Sequence, residues 1–329
     1  MSYQLPITDE ALASPRVSVI IPTRNEALNL PLVLELIPAD YEVVVVDGHS
    51  TDGSLDVAKS LRPDAIVLTQ TRRGKGNAMA CGFAAATGDI LVMLDADGSA
   101  DPREIPRYVR ALVEGADFAK GTRFAAGGGS DDITRIRRMG NWGLNAVVNV
   151  LYRTSYTDLC YGYNAFWRHC LPALDLAPGE TSDEMRWGDG FEVETLINVR
   201  VAQANLRVVE VPSYEANRVH GVSNLNAVSD GLRVLRTIAA EKRRGRVATT
   251  APASVPQVPA VASGAAVLVT VTLEDSMSAA VDEAFKAAAW TYPLVPQPGS
   301  ELAPGAQNVI DLRESAVERE SVRVLRGNR

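Results

Sequence analysis

The amino-acid sequence predicts an α/β protein with an open, mostly parallel sheet flanked by helices. Two observations support this fold class. Short β-branched runs alternate with segments of helical spacing over about the first 120 residues, and the runs are apolar on both faces. Strands of that kind belong inside a parallel sheet covered by helices. The alternation implies right-handed crossovers, and such sheets bind ligands beyond the carboxyl ends of their strands.

Four runs rich in valine, isoleucine and leucine predict the strands, namely Arg16–Ile21, Glu42–Val46, Ala65–Leu68 and Asp89–Leu94. Polar residues follow three of them: Thr23–Glu26, Asp47–Ser50 and Asp95–Asp97. Because the carboxyl ends of parallel strands meet at one edge of the sheet, we expect these polar groups to share a site.

Helical spacing, with Gly or Pro at the boundaries, predicts helices between and after these strands. The segments are Glu26–Ile37, Ser54–Leu61, Gly76–Ala86, Pro102–Glu114, Ile133–Tyr152, Asp189–Ala204 and Leu225–Arg246. A further strand is predicted at Leu206–Val211, where Pro212 ends it.

Composition divides the chain into four parts. An N-terminal extension covers residues 1–15 and the α/β domain covers 16–246. An uncharged stretch with three prolines at 247–263 is typical of a linker. The tail at 264–329 has few large apolar residues for a core of its own, so we expect a flexible segment or a small appended element.

Charge and hydropathy exclude several classes of protein. The 329-residue chain has a net charge of −7, whereas a protein that coats nucleic acid needs a basic surface. Its apolar runs are far shorter than the roughly 20 residues of a spanning helix, and no signal peptide is evident. We expect a cytoplasmic protein. The basic-ended segment Leu225–Arg246 could lie on the cytosolic membrane face or could pack on its own domain.

The sequence Asp95-Ala96-Asp97 is the sharpest chemical feature. Two carboxylates one residue apart, directly after a buried strand, can present oxygen ligands to a hard divalent cation. Mg²⁺ or Mn²⁺ there would bridge the diphosphate of a nucleotide-activated donor. The alternative is a simple turn at the end of the strand.

Several motifs in order resemble the family 2 glycosyltransferases, which have the nucleotide-sugar (GT-A) fold. They are VSVIIPTRNEALN at 17–29, VVVVDGHSTDGS at 43–54 and RRGKGNAMACGFAAATGDILVMLDADGS at 72–99. Later segments resemble the dolichyl-phosphate or polyprenyl-phosphate sugar synthases: KGTRF at 120–124, EVP at 210–212 and R-x-x-G-x-S at 218–223. The resemblance covers about Arg16 to Arg236.

The resemblance implies roles for individual residues. The nucleotide-sugar would be bound by Pro22, Thr23, Arg24, Glu26, Asp47, Gly48, Lys75, Gly76, Asp95, Ala96 and Arg218. Asp95 and Asp97 would hold the metal, with Asp97 as a catalytic residue. Arg123, Arg137 and Asn141 would bind the phosphate of the acceptor. Asp47 could instead cap a helix or form an Asx turn, and the glycines around Lys75 could belong to a plain loop.

Three positions depart from the family pattern. Gly48 replaces an acid, which leaves the nucleotide base less certain. Asn141 stands where the family often has a serine, and Asn224 where it often has a lysine. The last two weaken the inference of a lipid-phosphate acceptor and leave donor binding untouched.

The nature of the acceptor decides whether a general base is needed. A phosphate is already anionic near neutral pH, whereas a hydroxyl acceptor needs an Asp or Glu within hydrogen-bond reach. Asp189, placed after Trp187 at the predicted start of a helix, is the candidate base. The competing interpretation, that it caps this helix, is the one the sequence favours.

These features predict a metal-dependent inverting glycosyltransferase. It would move a hexose from GDP-mannose or UDP-glucose to a polyprenyl phosphate, using Mg²⁺ or Mn²⁺. One alternative keeps the fold and donor but uses a soluble acceptor. Another is a non-catalytic nucleotide-sugar-binding protein, against which the intact Asp95-x-Asp97 argues. The oligomeric state is not predicted.

Overall fold

The computed structural model of the chain describes residues 15–221 and 227–245, and for 227–230 the backbone alone. A seven-stranded sheet forms its centre. Its strands are β1 Val17–Thr23, β2 Glu42–Asp47, β3 Ile66–Thr69, β4 Ile90–Met93, β5 Phe118–Thr122, β7 Asn164–Trp167 and β8 Val208–Pro212. They lie in the order β3-β2-β1-β4-β7-β5-β8. Two short strands, β6 Gly129–Ser130 and β9 Tyr214–Glu215, pair separately.

Helices cover the sheet. They are α1 Leu30–Leu34, α2 Ser54–Leu61, α3 Lys75–Ala85, α4 Ile105–Val113, α5 Arg135–Tyr152, α6 Leu171–Leu174, α7 Val193–Gln203 and α8 Ala227–Arg244. Short 3₁₀ turns precede α4 at Pro102–Glu104 and α6 at Arg168–Cys170. No helix in these described ranges is long and apolar enough to cross a bilayer.

The predicted mostly parallel sheet is confirmed. β1 pairs in parallel with β2 and β4, and β2 does so with β3, so the polar residues that follow these strands meet at one edge. β7 is the exception, since it runs antiparallel to both β4 and β5. Its four-residue run at 164–167 is too short to stand out in the sequence. All four of its residues are nevertheless buried.

Two helix predictions began about four residues too early, and the first of them also ended about three residues too late. α1 covers only Leu30–Leu34 of the predicted segment, because Asn25 has a positive φ of 56° and Pro31 fits only the first turn of a helix. α7 begins at Val193, because Gly188 has a φ of 90° and the Val193 amide donates to Gly190 in a turn. Asp189 therefore does not begin a helix.

A second apolar cluster lies away from the sheet, among α5, α7 and α8. Its buried members are Val148, Tyr156, Leu159, Val199, Val234 and Ile238. α8 thus packs on its own domain along its buried side, one of the two arrangements that the sequence left open. The predicted linker and tail, and the predicted extension apart from Pro15, lie outside the described residues, as does Asn224.

Candidate active site

A cleft of about 1190 Å³ lies at the carboxyl ends of β1 and β4, bordered by the N-terminal half of α5, the start of α7 and the segment 215–221. Most residues that the sequence assigns to a site line it, namely Pro22, Thr23, Arg24, Glu26, Gly48, Lys75, Asp95, Ala96, Asp97, Arg123, Arg137, Asn141 and Arg218. Asp47, Gly76 and Asp189 do not line it. The fold therefore gathers donor-side and acceptor-side candidates around one cavity.

The two carboxylates of the Asp95-Ala96-Asp97 motif are each held by a cation. Lys75 Nζ lies 2.7 Å from Asp95 Oδ1, and Arg218 Nη2 donates to Asp97 Oδ2 at 2.8 Å. Ser99 also donates to Asp97 Oδ1, through its amide at 3.0 Å and its hydroxyl at 2.7 Å. Distant parts of the chain thus offset the negative charge of the motif.

The motif is chemically suited to a divalent cation that arrives with a diphosphate. Mg²⁺ is usually bound by one or two carboxylates together with substrate phosphates, rather than by an all-protein cage. Within residues 15–221 and 227–245, no group of three or more His, Cys, Asp or Glu side chains could hold a metal ion. Asp95 and Asp97 therefore fit a cation whose remaining ligands come from the substrate and water.

Lys75 begins α3 and joins the motif to α7. Its Nζ lies 2.7 Å from both Asp95 Oδ1 and Glu194 Oε1. Burial would lower the pKa of Lys75, but the two carboxylates outweigh it and hold that pKa well above its usual value. Burial raises the pKa of Glu194, and Lys75 offsets only part of the rise. Glu194 is not among the residues that the sequence predicts for the site, and its one signal is an acid inside the apolar run of α7.

The loop after β1 is tied to the loop after β2, and this fixes Glu26. Asn25 adopts a left-handed conformation, and the Glu26 amide donates to Ser54 Oγ at 2.9 Å. Arg218 Nη1 in turn donates to Glu26 Oε1 at 2.9 Å. Arg218 therefore bridges Glu26 and Asp97 in the cleft wall.

Arg123, which follows β5, is held by acids on two sides. Its Nε and Nη2 donate to the two oxygens of the fully buried Asp158 at 2.7 and 2.9 Å, and its Nη1 donates to Glu215 at 2.9 Å. The guanidinium also lies 4.8 Å from the ring centre of Tyr161. Burial would lower the pKa of Arg123, but Asp158 and Glu215 outweigh it and raise that pKa. Arg123 is therefore a rigid, permanently charged part of the cleft wall.

Arg137 and Asn141 lie one turn apart on α5. Arg137 Nη1 donates to Asp132 at 3.1 Å, and the Arg137 side chain is 26% exposed. The Asn141 oxygen accepts from the Cys160 amide at 3.3 Å, whereas its Nδ2 is buried and has no hydrogen-bond partner among the residues that the structure describes. A buried amide donor without a partner is uncommon, which makes Asn141 a candidate donor to an acceptor phosphate.

Asparagines spaced four residues apart on α5 explain how Asp158 is placed. Asn145 Nδ2 donates to the Thr157 carbonyl at 2.6 Å, and Asn145 Oδ1 accepts from the Leu159 amide at 2.8 Å. One turn further on, Asn149 bonds the backbone of Tyr156 in both directions. Hydrogen bonds to α5 thus hold the segment 156–159 in place, and Asp158 in this segment contacts Arg123.

Asp47 and Gly76 do not line the cleft, and each of them contacts other parts of the chain. The buried carboxylate of Asp47 accepts from the Ser50 amide at 3.1 and 3.3 Å, which is a turn, since α2 begins only at Ser54. A Cβ at Gly76 would lie 1.8 Å from the Gly188 carbonyl oxygen. The absence of a side chain at Gly76 therefore makes room for the chain's own backbone at Gly188. The nucleotide-binding roles of Asp47 and Gly76 remain predictions.

Asp189 forms a buried ion pair. Arg72 Nε and Nη2 donate to its two oxygens at 2.7 and 2.8 Å, and the Arg186 amide adds a third bond at 2.6 Å. The hydrogen bond to Asp189 is the main cause of a raised pKa at Arg72. The helix-cap interpretation of Asp189 is wrong, because the residue at the N-cap of α7 is Glu192. The contacts favour a structural role, and the base role stays a prediction.

Comparisons with known proteins agree with this geometry. The family described as Glycosyl transferase family 2 matches residues 18–170. An undecaprenyl-phosphate mannosyltransferase of Micrococcus luteus is 35% identical over 222 residues, which cover 64% of this chain and 88% of the relative. An uncharacterized glycosyltransferase of Mycobacterium tuberculosis is 34% identical over 223 residues, covering 65% and 92%.

Solved structures support the fold. Glucosyl-3-phosphoglycerate synthase from Mycobacterium tuberculosis, in complex with phosphoglyceric acid, is similar with a TM-score of 0.55 and 21% identity, covering 73% of this chain and 84% of that one. The same synthase in complex with Mn²⁺, UDP and glucosyl-3-phosphoglycerate gives a TM-score of 0.53, with 75% and 88% covered.

The sheet order, the cleft at the strand ends and the carboxylate motif after β4 agree with these similarities. The sequence match covers most of the length of two relatives at over 30% identity. A match of this extent shows the family. The chain belongs to glycosyltransferase family 2, and it is a glycosyltransferase with the GT-A fold.

Proposed function

We propose that this enzyme transfers a hexose, from GDP-mannose or UDP-glucose, to the phosphate of a polyprenyl phosphate with inversion at the anomeric carbon. One observation carries the proposal: Arg123 and Arg137 line the same cleft as Asp95 and Asp97. The carboxylates suit a metal-bound diphosphate, and a planar guanidinium suits a second phosphate. The name of the Micrococcus luteus relative supports this acceptor class.

On the donor side, Asp95 and Asp97 would hold Mg²⁺ or Mn²⁺. The metal would neutralise charge on the leaving diphosphate. Arg218 would contribute to the same task, because its guanidinium already lies 2.8 Å from Asp97 and can reach the same phosphates. Glu26 would hold Arg218 in position through its 2.9 Å bond.

On the acceptor side, the phosphate monoester supplies its own nucleophile, since its second pKa is about 6. An acceptor oxygen forms the bond to the anomeric carbon while the bond from that carbon to the diphosphate breaks, and the nucleoside diphosphate leaves. No proton has to be removed. This agrees with the pairing of Glu194 in the cleft wall with Lys75, and with the pairing of Asp189, outside the cleft wall, with Arg72.

A transfer assay tests the proposal. Labelled GDP-mannose, UDP-glucose and UDP-N-acetylglucosamine would each be supplied with Mg²⁺ or Mn²⁺ and a polyprenyl phosphate. Label in the organic phase from one donor is the expected result. Asp97→Asn is the blank: we expect it to keep the fold and lose activity on the order of 10²–10³-fold, as when a group that stabilises transition-state charge is removed.

Other outcomes would redirect the proposal. Metal-dependent consumption of a donor without organic label would indicate a soluble acceptor. Tight nucleotide binding without any turnover would indicate a non-catalytic binding protein. Normal turnover by Asp97→Asn would overturn the metal assignment.

A further inference from the structure

Helix α5 departs from the usual pattern of a surface helix, because apolar residues lie on its exposed face as well as on its buried face. A helix on a soluble domain normally turns its apolar stripe inward and its polar residues to water. In α5, the buried residues are Asn141, Asn145 and Val148. The residues at positions 136, 139, 147 and 150, which share one face by helical spacing, are all apolar and all exposed.

This exposed α5 face consists of Ile136, Met139, Val147 and Val150, with Trp142 beside it. The exposed fractions of Ile136, Met139, Trp142 and Val150 are 73%, 74%, 75% and 80%. Single exposed apolar residues are normal on a protein surface, whereas a contiguous group indicates a binding surface. The asparagines cannot turn outward to replace these residues, because they clamp the chain before Asp158.

Cations flank the α5 face at both ends. Arg135 and Arg138 are exposed on its first turns, and α5 contains no acidic residue. At the other end Lys242 of α8 donates to the Leu151 carbonyl at 2.9 Å. An apolar face with basic residues at its borders matches a membrane interface that carries anionic lipids.

The α5 face is continuous with the acceptor side of the cleft. Ile136 belongs to both, and Arg137, next to it, lines the cleft. A polyprenyl phosphate has an anionic head and a long apolar tail in the bilayer. A protein that receives the head in its cleft would gain from an adjoining apolar surface that reaches the lipid.

We propose that the α5 face docks the enzyme on an anionic phospholipid surface, so that the cleft opens toward the membrane. That the docking brings the cleft to its acceptor rests on the proposed function, in which the acceptor is a polyprenyl phosphate. The test of docking measures vesicle binding and needs no acceptor. The docking is peripheral: Trp142, Met139 and Val150 enter the interface, and Arg135 and Arg138 contact lipid phosphates.

Flotation of the full-length chain with vesicles tests the docking. Vesicles of phosphatidylcholine alone would be compared with vesicles that also contain phosphatidylglycerol. We expect binding to the anionic vesicles, weakened by added salt, and about a tenfold loss of affinity in Val150→Asp and in Trp142→Asp. Val113→Asp is the matched control, because Val113 is an exposed valine on α4, outside the α5 face.

Substrate assays separate this inference from the proposed function. With a short-chain, water-soluble prenyl phosphate, Val150→Asp should retain wild-type turnover, and with a long-chain acceptor in vesicles it should lose turnover. If the wild type transfers to neither acceptor yet binds anionic vesicles, the proposed function fails and the docking stands.

Two results would overturn the docking. One is equal flotation of the wild type and Val150→Asp. The other is a dimer in sedimentation that Val150→Asp dissociates, without vesicle binding by the wild type; the α5 face would then be an interface between copies of this chain.

Discussion

At the scale of single residues, the cleft depends on ion pairs whose partners are distant in sequence. Lys75 meets Glu194, Arg218 meets Asp97, and Arg123 meets Asp158. The pairs differ in burial, and burial decides what a substitution does. A buried charge that loses its partner costs much free energy, whereas an exposed pair contributes little.

Arg123 and Arg137 should therefore respond differently to removal. Arg123→Ala leaves the fully buried Asp158 without its partner and should lower the free energy of unfolding by about 3–5 kcal/mol. Arg137→Ala breaks a pair with the 41% exposed Asp132 and should cost about 0–1 kcal/mol. Urea unfolding gives both values. Equal losses of unfolding free energy would show that burial of the partner carboxylate does not decide the cost of removing the arginine.

Acceptor kinetics then complete the comparison. Because Arg137→Ala keeps the fold, we expect it to raise the KM for the acceptor while nucleotide affinity stays nearly unchanged. An equal loss of nucleotide affinity would place Arg137 on the donor side instead.

At the scale of elements, the start of α3 and the segment before α7 are fitted against each other. The Gly76 amide donates to the Asp189 carbonyl at 2.7 Å, and Cβ atoms at Gly74 and Gly76 would lie 2.1 and 1.8 Å from backbone oxygens of this segment. Backbone atoms cannot move aside as a flexible side chain can. This contact places Lys75 between Asp95 and Glu194, so packing at the start of α3 sets the charge arrangement in the cleft.

Gly76→Ala tests this packing. The added methyl group should lower the free energy of unfolding by about 1–3 kcal/mol through overpacking. It should also reduce turnover, because Lys75 moves with the backbone. Gly143→Ala on α5 is the control, since its Cβ meets nothing within 4 Å, and it should be neutral or stabilising by up to about 1 kcal/mol. Thermal unfolding and turnover of both variants give the comparison, and a Gly76→Ala protein as stable as Gly143→Ala would contradict it.

At the scale of the whole molecule, charge balance within the cleft governs ligand binding. Asp95 and Asp97 already have Lys75 and Arg218 as counter-charges, so a divalent cation alone gains little by displacing them. A nucleoside diphosphate brings negative charge for those cations and further oxygen ligands for the metal. Metal and nucleotide should therefore bind cooperatively.

Thermal unfolding can measure this coupling. Mn²⁺ alone, or UDP or GDP alone, should shift the Tm little. The matching nucleotide with Mn²⁺ at a hundred times its Kd should stabilise the protein by about 2.7 kcal/mol, a shift of several degrees for a domain of this size. The shift should vanish with EDTA and in Asp97→Asn. A large Tm shift with Mn²⁺ alone would contradict this, because it would mean that protein groups bind the metal tightly without a nucleotide.

The sequence by itself determined the parallel strands β1 to β4 and the edge of the sheet that carries the cleft. Apolar runs such as Val43–Val46 become buried parallel strands because helices on both sides of such a sheet cover both of their faces. The polar residues after β1 and β4 then meet at one edge, so Glu26, Asp95 and Asp97 were found as a group. Local pattern suffices here, since each residue's place follows from its own strand.

Only the tertiary structure decided which charges pair and which helix face is exposed. Asp189 and Arg72 are 117 positions apart, and nothing local to either residue indicates the partner. The sequence gives no stronger signal for Glu194 for the same reason, because its ion pair is with Lys75, at the start of another helix. The spacing of apolar residues in α5 predicts a stripe without saying whether it faces protein or solvent. In this fold the asparagines bond the chain before Asp158, and the apolar stripe is left outside.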